Sequence, residues 1–229
     1  GAVNIISGPR QTGKTTALKL LIRALLEKSV PAEQILYFNC DALESRKDVI
    51  NLVLGFFDGL HEPSEKVPSN YLFLDEISSV ADWPYAIKWL VDQNLLAQSK
   101  IILTGSSSIN LKKSGEFLPG RRGGGANVRF LPISFFEYFR LISPEFSLEK
   151  PVISFEDVES LEKQLLREQV NLKKIYHDFL LTGGFLKAIN SLAKDEPLVG
   201  TVELYRSALQ SELAKFRKKE LHARRVLDK

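Results

Sequence analysis

The pattern that most restricts this chain is Gly8-Pro9-Arg10-Gln11-Thr12-Gly13-Lys14-Thr15, which fits the P-loop form G-x-x-x-x-G-K-[ST]. Such a loop cradles phosphate when a strand delivers it and a helix leaves it. Both are expected here. Val3-Asn4-Ile5-Ile6 predicts a short buried strand, and Ala17 to Leu26 predicts a helix. In that setting Gly8 and Gly13 let the backbone curl so that successive N–H groups face inward. The helix N-terminus adds partial positive charge. Lys14 can reach β- and γ-phosphates, and the Thr15 hydroxyl can ligate Mg²⁺. With glycine at about 7% of residues, roughly one chain in a hundred of this size carries the pattern by accident. The flanking strand and helix make accident rarer still.

The second anchor is Tyr71-Leu72-Phe73-Leu74-Asp75-Glu76, about sixty residues downstream. Four apolar residues predict a core strand, and two carboxylates stand at its end. Beside a P-loop, Asp75 can hold the Mg²⁺ shell and Glu76 can polarise a water that attacks the γ-phosphate. Alone, an apolar run ending in Asp-Glu says little; two solvated loop acids would look the same. Lys100 to Leu103 predicts another strand, leading into Thr104-Gly105-Ser106-Ser107-Ser108. Thr104 and Ser106 are candidates to sense the γ-phosphate or position water, with a plain turn as the alternative. Ser114 to Gly125 is rich in glycine and arginine and is expected to be mobile. An arginine there could neutralise charge on a transferring phosphoryl group, worth on the order of 10³–10⁵ in rate where it acts. A solvated loop is the alternative for Arg121.

Between these anchors, Ile35 to Phe38 predicts a strand buried on both faces. Asp41 follows it and is expected to serve as a helix cap or turn residue. Val49 to Phe57 predicts a helix closed by Gly59, and Pro63 to Asn70 a polar loop. Asp82 is the expected N-cap of a helix with Pro84 in its first turn and an apolar stripe through Ala86, Ile87, Trp89, Leu90 and Leu95. Val128 to Leu131 predicts a fifth strand. From Ser134 onward the pattern is helical: an aromatic cluster of Phe135, Phe136, Tyr138 and Phe139 expected to pack on the sheet edge, a stripe through Ile175, Phe179 and Leu180, and a break at Gly183-Gly184.

Composition adds limits. The chain has 229 residues, 44% hydrophobic and 26% charged, room for one α/β domain and a smaller annex. No apolar run reaches the length of a membrane span and no signal-peptide pattern is present. Cys40 is the only cysteine, so an intrachain disulfide is excluded, which suits a cytoplasmic protein. The net charge of +3 is too small to imply nucleic acid by itself. Between Ser211 and Lys229, seven Lys/Arg stand against three acids. That is a solvated helix face, or else a patch for a polyanion. There is no methionine, and the first strand begins at once, so either the chain is a fragment or residues are missing from it.

The succession GPRQTGKT, FLDEI, ILTGSSS, a GR-containing loop, LPISFFEYF and LLTGGF resembles a group of predicted prokaryotic ATPases among the AAA-like P-loop proteins, near the archaeal ATPase and STAND-type families. The match runs to about Phe185. It implies a three-layer α/β/α core over residues 1–134, with a parallel sheet in the order 5-1-4-3-2, and a small all-helical lid over 135–229. It implies nucleotide contacts from the loop, here Gly8, Pro9, Arg10, Gln11, Thr12, Gly13, Lys14, Thr15 and Thr16, and from Ser106 or Thr104. It assigns Mg²⁺ to Thr15 and Asp75, catalysis to Glu76 and Lys14, and the arginine of the GR motif to Arg121, with Arg122 adjacent. Whether that arginine serves its own nucleotide or a neighbour's in a homo-oligomer stays open.

Two functions follow. One is an ATPase using ATP and Mg²⁺, since no N-K-x-D guanine motif is present. The other is a nucleotide-gated switch with little turnover, acting on nucleic acid or a protein partner through the lid, the aromatic 134–140 segment, the basic 215–229 segment or a missing C-terminal domain. A P-loop kinase is a third reading, disfavoured because an Asp-Glu pair beside a sensor-type strand suits water as the acceptor.

Overall fold

The computed structural model describes residues 2–60, 70–106, 123–144, 158–159, 163, 166 and 171–198. The chain divides into two compact units, Gly1–Leu131 and Pro132–Lys229.

The first unit runs β1 (Ala2–Ser7), α1 (Lys14–Glu27), β2 (Ile35–Asn39), α2 (Arg46–Asp58), β3 (Asn70–Asp75), α3 (Trp83–Asp92), β4 (Ser99–Gly105) and β5 (Asn127–Arg129). Every pairing is parallel and the order is β2-β3-β4-β1-β5, which is the expected 5-1-4-3-2 read from the other edge. The order matters for function. β4 lies between β1 and β3, so the loop leaving β1 and the acids leaving β3 stand on either side of it, at the carboxyl edge where open α/β sheets bind ligands.

Alternation along each strand sorts side chains between two layers. On one face Val3, Ile5, Leu72, Leu74, Ile101 and Leu103 pack with Val49 and Val53 of α2 and Ala86, Ile87 and Leu90 of α3. On the other, Ile6 and Phe73 pack with Leu18 of α1, joined by Tyr37, Ile102 and Phe130. A fully buried leucine or phenylalanine contributes about 1.5–3 kcal/mol, so these faces hold the layers in place. Two expectations need correction. β2 is half-buried rather than covered on both faces, because it is an edge strand. Trp89 is exposed, on the outer side of α3. Asp82 holds the N-cap position of α3 as expected, but at φ 55° its side chain makes no cap bond. Asp41 lies in the turn after β2, as expected, and the Asn39 side chain caps that turn.

In the second unit α4 (Phe135–Ile142), α5 (Leu172–Thr182) and α6 (Leu186–Ala193) are described. Ser134 and Glu137 close the N-terminus of α4 as a capping box. Phe135 and Tyr138 stack on Phe179 of α5 with centroids 5.4 and 5.6 Å apart, and Phe135 meets Tyr176 edge-on. The partners that Phe135 and Tyr138 find outside α4 thus lie on α5. Leu180, expected in the buried stripe, is exposed. The Gly183-Gly184 break has a reason beyond helix ending. Gly184 sits at φ +75°, its carbonyl accepts from the Ile133 N–H at 2.9 Å, and a Cβ there would lie 2.1 Å from the Ile133 carbonyl oxygen. The LPISF and GGF motifs are therefore one backbone contact. Among the described residues no helix is long and apolar enough to cross a membrane.

Candidate functional site

The loop between β1 and α1 is built for a ligand that accepts hydrogen bonds. Gly13 takes φ 100° and Gln11 φ 64°, turning the chain back on itself. The Thr12 hydroxyl donates to the Pro9 carbonyl at 3.0 Å and pins that turn. Helix α1 starts directly at Lys14 with no side-chain cap and no acid in its first turn, whereas α2, α4 and α5 each have a side chain closing that end. The first-turn amides of α1 thus keep their donors and the positive end of the helix dipole. Gly8 is needed for a different reason from the one expected. A Cβ on it would lie 1.9 Å from the carbonyl oxygen of Phe130, just past β5. It is close approach of two backbones, not a left-handed φ, that excludes a side chain.

Lys14 is buried, 4% exposed. Its ammonium donates to the Gly8 and Pro9 carbonyls at 3.0 and 2.8 Å and lies 3.7 Å from a Glu76 carboxylate oxygen. Burial lowers its pKa, opposed in part by Glu76 and Asp75.

Asp75 reaches the loop by strand parity. Phe73 faces α1, so Asp75 two residues on faces the same way, and its Oδ2 accepts from the Thr15 hydroxyl at 2.7 Å. Ile102 and Thr104 share that parity on β4, and the Thr104 hydroxyl donates to Asp75 Oδ1. Tyr37 on β2 does the same from the far side, its hydroxyl 3.3 Å from Asp75 Oδ2. The Tyr37 pKa is raised, first by burial and then by Asp75. Asp75, 2% exposed, thus collects three hydroxyls from three elements.

Glu76 sits at φ 50°, ψ 36°, a left-handed conformation that costs a non-glycine residue on the order of 1–3 kcal/mol. Its surroundings hold it there. Its amide donates to the Thr104 hydroxyl at 2.9 Å, and its carboxylate accepts from the Ser106 amide at 3.0 Å while lying near Lys14. Strain secured from three sides at the end of a core strand points to a side chain that must be aimed.

Gly8, Gly13, Lys14, Thr15, Asp75, Glu76, Thr104 and Ser106 therefore converge. Of the two sensor candidates, Thr104 brings its hydroxyl into the network and Ser106 its main-chain amide. Pro9 and Thr12 shape the loop from inside, while Arg10, Gln11 and Thr16 are exposed along it. Arg121 and Arg122 lie outside the described residues, as do residues 63–69 of the expected polar stretch and the basic C-terminal segment; Asn70, expected in that stretch, opens β3. Tyr37 escaped the sequence reading; the signal was a polar-tipped residue in an apolar run, two positions before the strand's end. Cys40 is buried and its pKa is pushed up to about 12 by burial, Asp75 and Asp41, so it is an inert core thiol.

The donor set suits a hard cation. Thr15 and Asp75 present adjacent oxygens, as Mg²⁺ prefers. No group of three His, Cys, Asp or Glu residues able to hold a metal occurs among the described residues. Mg²⁺ commonly takes one or two carboxylates together with substrate phosphates, and this site fits that habit.

A family model described as "AAA domain" matches residues 1–139. An uncharacterized protein of Haemophilus influenzae is 25% identical over 202 residues, covering 87% of this chain and 42% of the relative. The chain thus spans less than half the length of that curated relative. Among solved structures, the Walker-type ATPase PABY2304 of Pyrococcus abyssi aligns with TM-score 0.48 and 15% identity, over 95% of this chain and 71% of that one. Cdc6p of Pyrobaculum aerophilum aligns with TM-score 0.42 and 14% identity, over 61% and 41%.

Proposed function

The chain belongs to the AAA domain family, and from that membership we propose that it binds ATP with Mg²⁺ and hydrolyses it to ADP and phosphate. The observation that carries this reading is the meeting of Thr15 with Asp75 at 2.7 Å and of Lys14 with Glu76 at 3.7 Å, across sixty residues of sequence. In it the loop amides and the Lys14 ammonium grip the β- and γ-phosphates. Thr15 and Asp75 hold Mg²⁺, which supplies charge neutralisation on the phosphates when bound. Glu76 takes a proton from the water that attacks the γ-phosphorus as the bond to the β-phosphate oxygen breaks. Thr104 keeps Asp75 and Glu76 in register, and Tyr37 orients Asp75 from outside. Arg121 is the proposed arginine that steadies the transferring group. Phosphate loss alters what Lys14 and Glu76 touch, and in this reading that change drives the conformational step.

One observation favours low resting turnover. The Glu76 carboxylate is engaged by Lys14 and the Ser106 amide, so a nucleotide must free it before it can act on water. A switch that holds ATP and turns over only with a partner would use the same residues. Phosphate release from purified protein in Mg²⁺ separates the readings. We expect release above background that stops when excess chelator removes Mg²⁺ and returns when the ion is restored. Tight ATP binding with background release would favour the switch; release indifferent to the chelator would contradict the proposed metal role.

A further inference from the structure

We propose that the groove between α2 and α3 binds single-stranded nucleic acid, at a site separate from the P-loop. The groove has a volume of about 440 Å³ and is built from regular helix rather than loop. Its apolar part comes from Ile50 of α2 and the rings of Tyr85 and Trp89 of α3. Those rings are 45% and 41% exposed, unusual for large aromatics on a helix whose inner face already fills a core. Tyr85 and Trp89 are four residues apart, one turn, so they lie along one face. Arg46 and Lys47 from α2 and Lys88 from α3 add three cations, and none of the three forms an ion pair among the described residues.

Exposed rings between cations are the chemistry of a strand whose bases stack while its phosphates are neutralised. Asp92 lines the same groove. Rings that stack bases beside cations that meet phosphates fit nucleic acid better than an acidic protein segment, which supplies charge but no row of planar bases. This proposal does not depend on the ATPase reading and could fail or hold without it.

The chain has two tryptophans, Trp83 and Trp89, and Trp83 is 3% exposed. Tryptophan emission therefore reports on the groove. A thymidine oligomer of roughly ten nucleotides, within the usual footprint of such sites, should quench it, with an affinity that falls steeply as salt rises. Arg46→Glu combined with Lys88→Glu should weaken binding at least tenfold, and Trp89→Leu about tenfold, while Trp89→Phe keeps a ring and retains binding when followed by anisotropy of a labelled oligomer. Circular dichroism checks that each variant is folded. Binding by the basic C-terminal segment would leave Trp89 emission unchanged. The proposal is overturned if the oligomer causes no quench, if the charge-reversed variant binds as well as wild type, if thymidine monophosphate binds as tightly as the oligomer, or if polyglutamate quenches and the oligomer does not.

Discussion

Glu76→Gln is expected to bind ATP–Mg²⁺ within a few-fold of wild type and to hydrolyse it 10²–10⁴ times more slowly, the usual range for losing a general base. Glutamine keeps the shape and an acceptor oxygen, so the bond from the Ser106 amide at 3.0 Å survives. What goes is the negative charge beside Lys14 and the ability to take a proton from water. The left-handed backbone at residue 76 is held by Thr104 through the amide, which the substitution leaves alone. The fold should therefore persist, and a single-turnover assay beside an equilibrium binding assay isolates the chemical step. Turnover equal to wild type would remove Glu76 from the chemistry.

Gly8→Ala should destabilise the first unit by about 3 kcal/mol or more, at the upper end of what overpacking costs. The atom that the new methyl meets is backbone, the Phe130 carbonyl oxygen at 1.9 Å, and Phe130 is itself tied to β1 by its N–H to the Ser7 carbonyl at 2.7 Å. Neither side can yield without parting β1 from the chain after β5. At about 2–4 °C per kcal/mol for a domain of this size, the melting temperature should drop by roughly 6–12 °C. Gly55→Ala is the matched comparison. Gly55 lies inside α2 with nothing within 4 Å of its added Cβ, so the same change should stabilise by about 0.5–1 kcal/mol through helix propensity. Melts that shift equally for both would show that the approach to Phe130 is not tight.

Much of this was legible before any coordinates. The P-loop and the FLDEI strand were, because each depends on local periodicity or on a spacing that a motif fixes; the sheet order came only from the resemblance to AAA-like P-loop proteins. The parity that turns Asp75 toward Thr15 was also available, since Phe73 and Asp75 must share a face once Leu72 and Leu74 face α2 and α3. Features that depend on distant backbone were not legible. Nothing in the sequence around Gly8 announces Phe130, and nothing around Gly184 announces Ile133. Trp89 and Leu180 fit apolar stripes by spacing, yet they face outward, because a stripe read at 3.6 residues is wider than the strip a helix buries. Tyr37 read as one more core residue, and only the neighbouring strand reveals what its hydroxyl is for. The role of Arg121 rests on the GR motif alone.

In the proposed function the loop amides and the Lys14 ammonium hold the triphosphate. Calorimetric titration of ATP–Mg²⁺ into wild type and into Lys14→Ala, each confirmed folded by circular dichroism, tests this most directly. We expect saturable binding by wild type and affinity reduced at least a hundredfold in the variant, where the charge-assisted contacts to phosphate are gone. Equal affinity in the two proteins, or no heat with either, would contradict it.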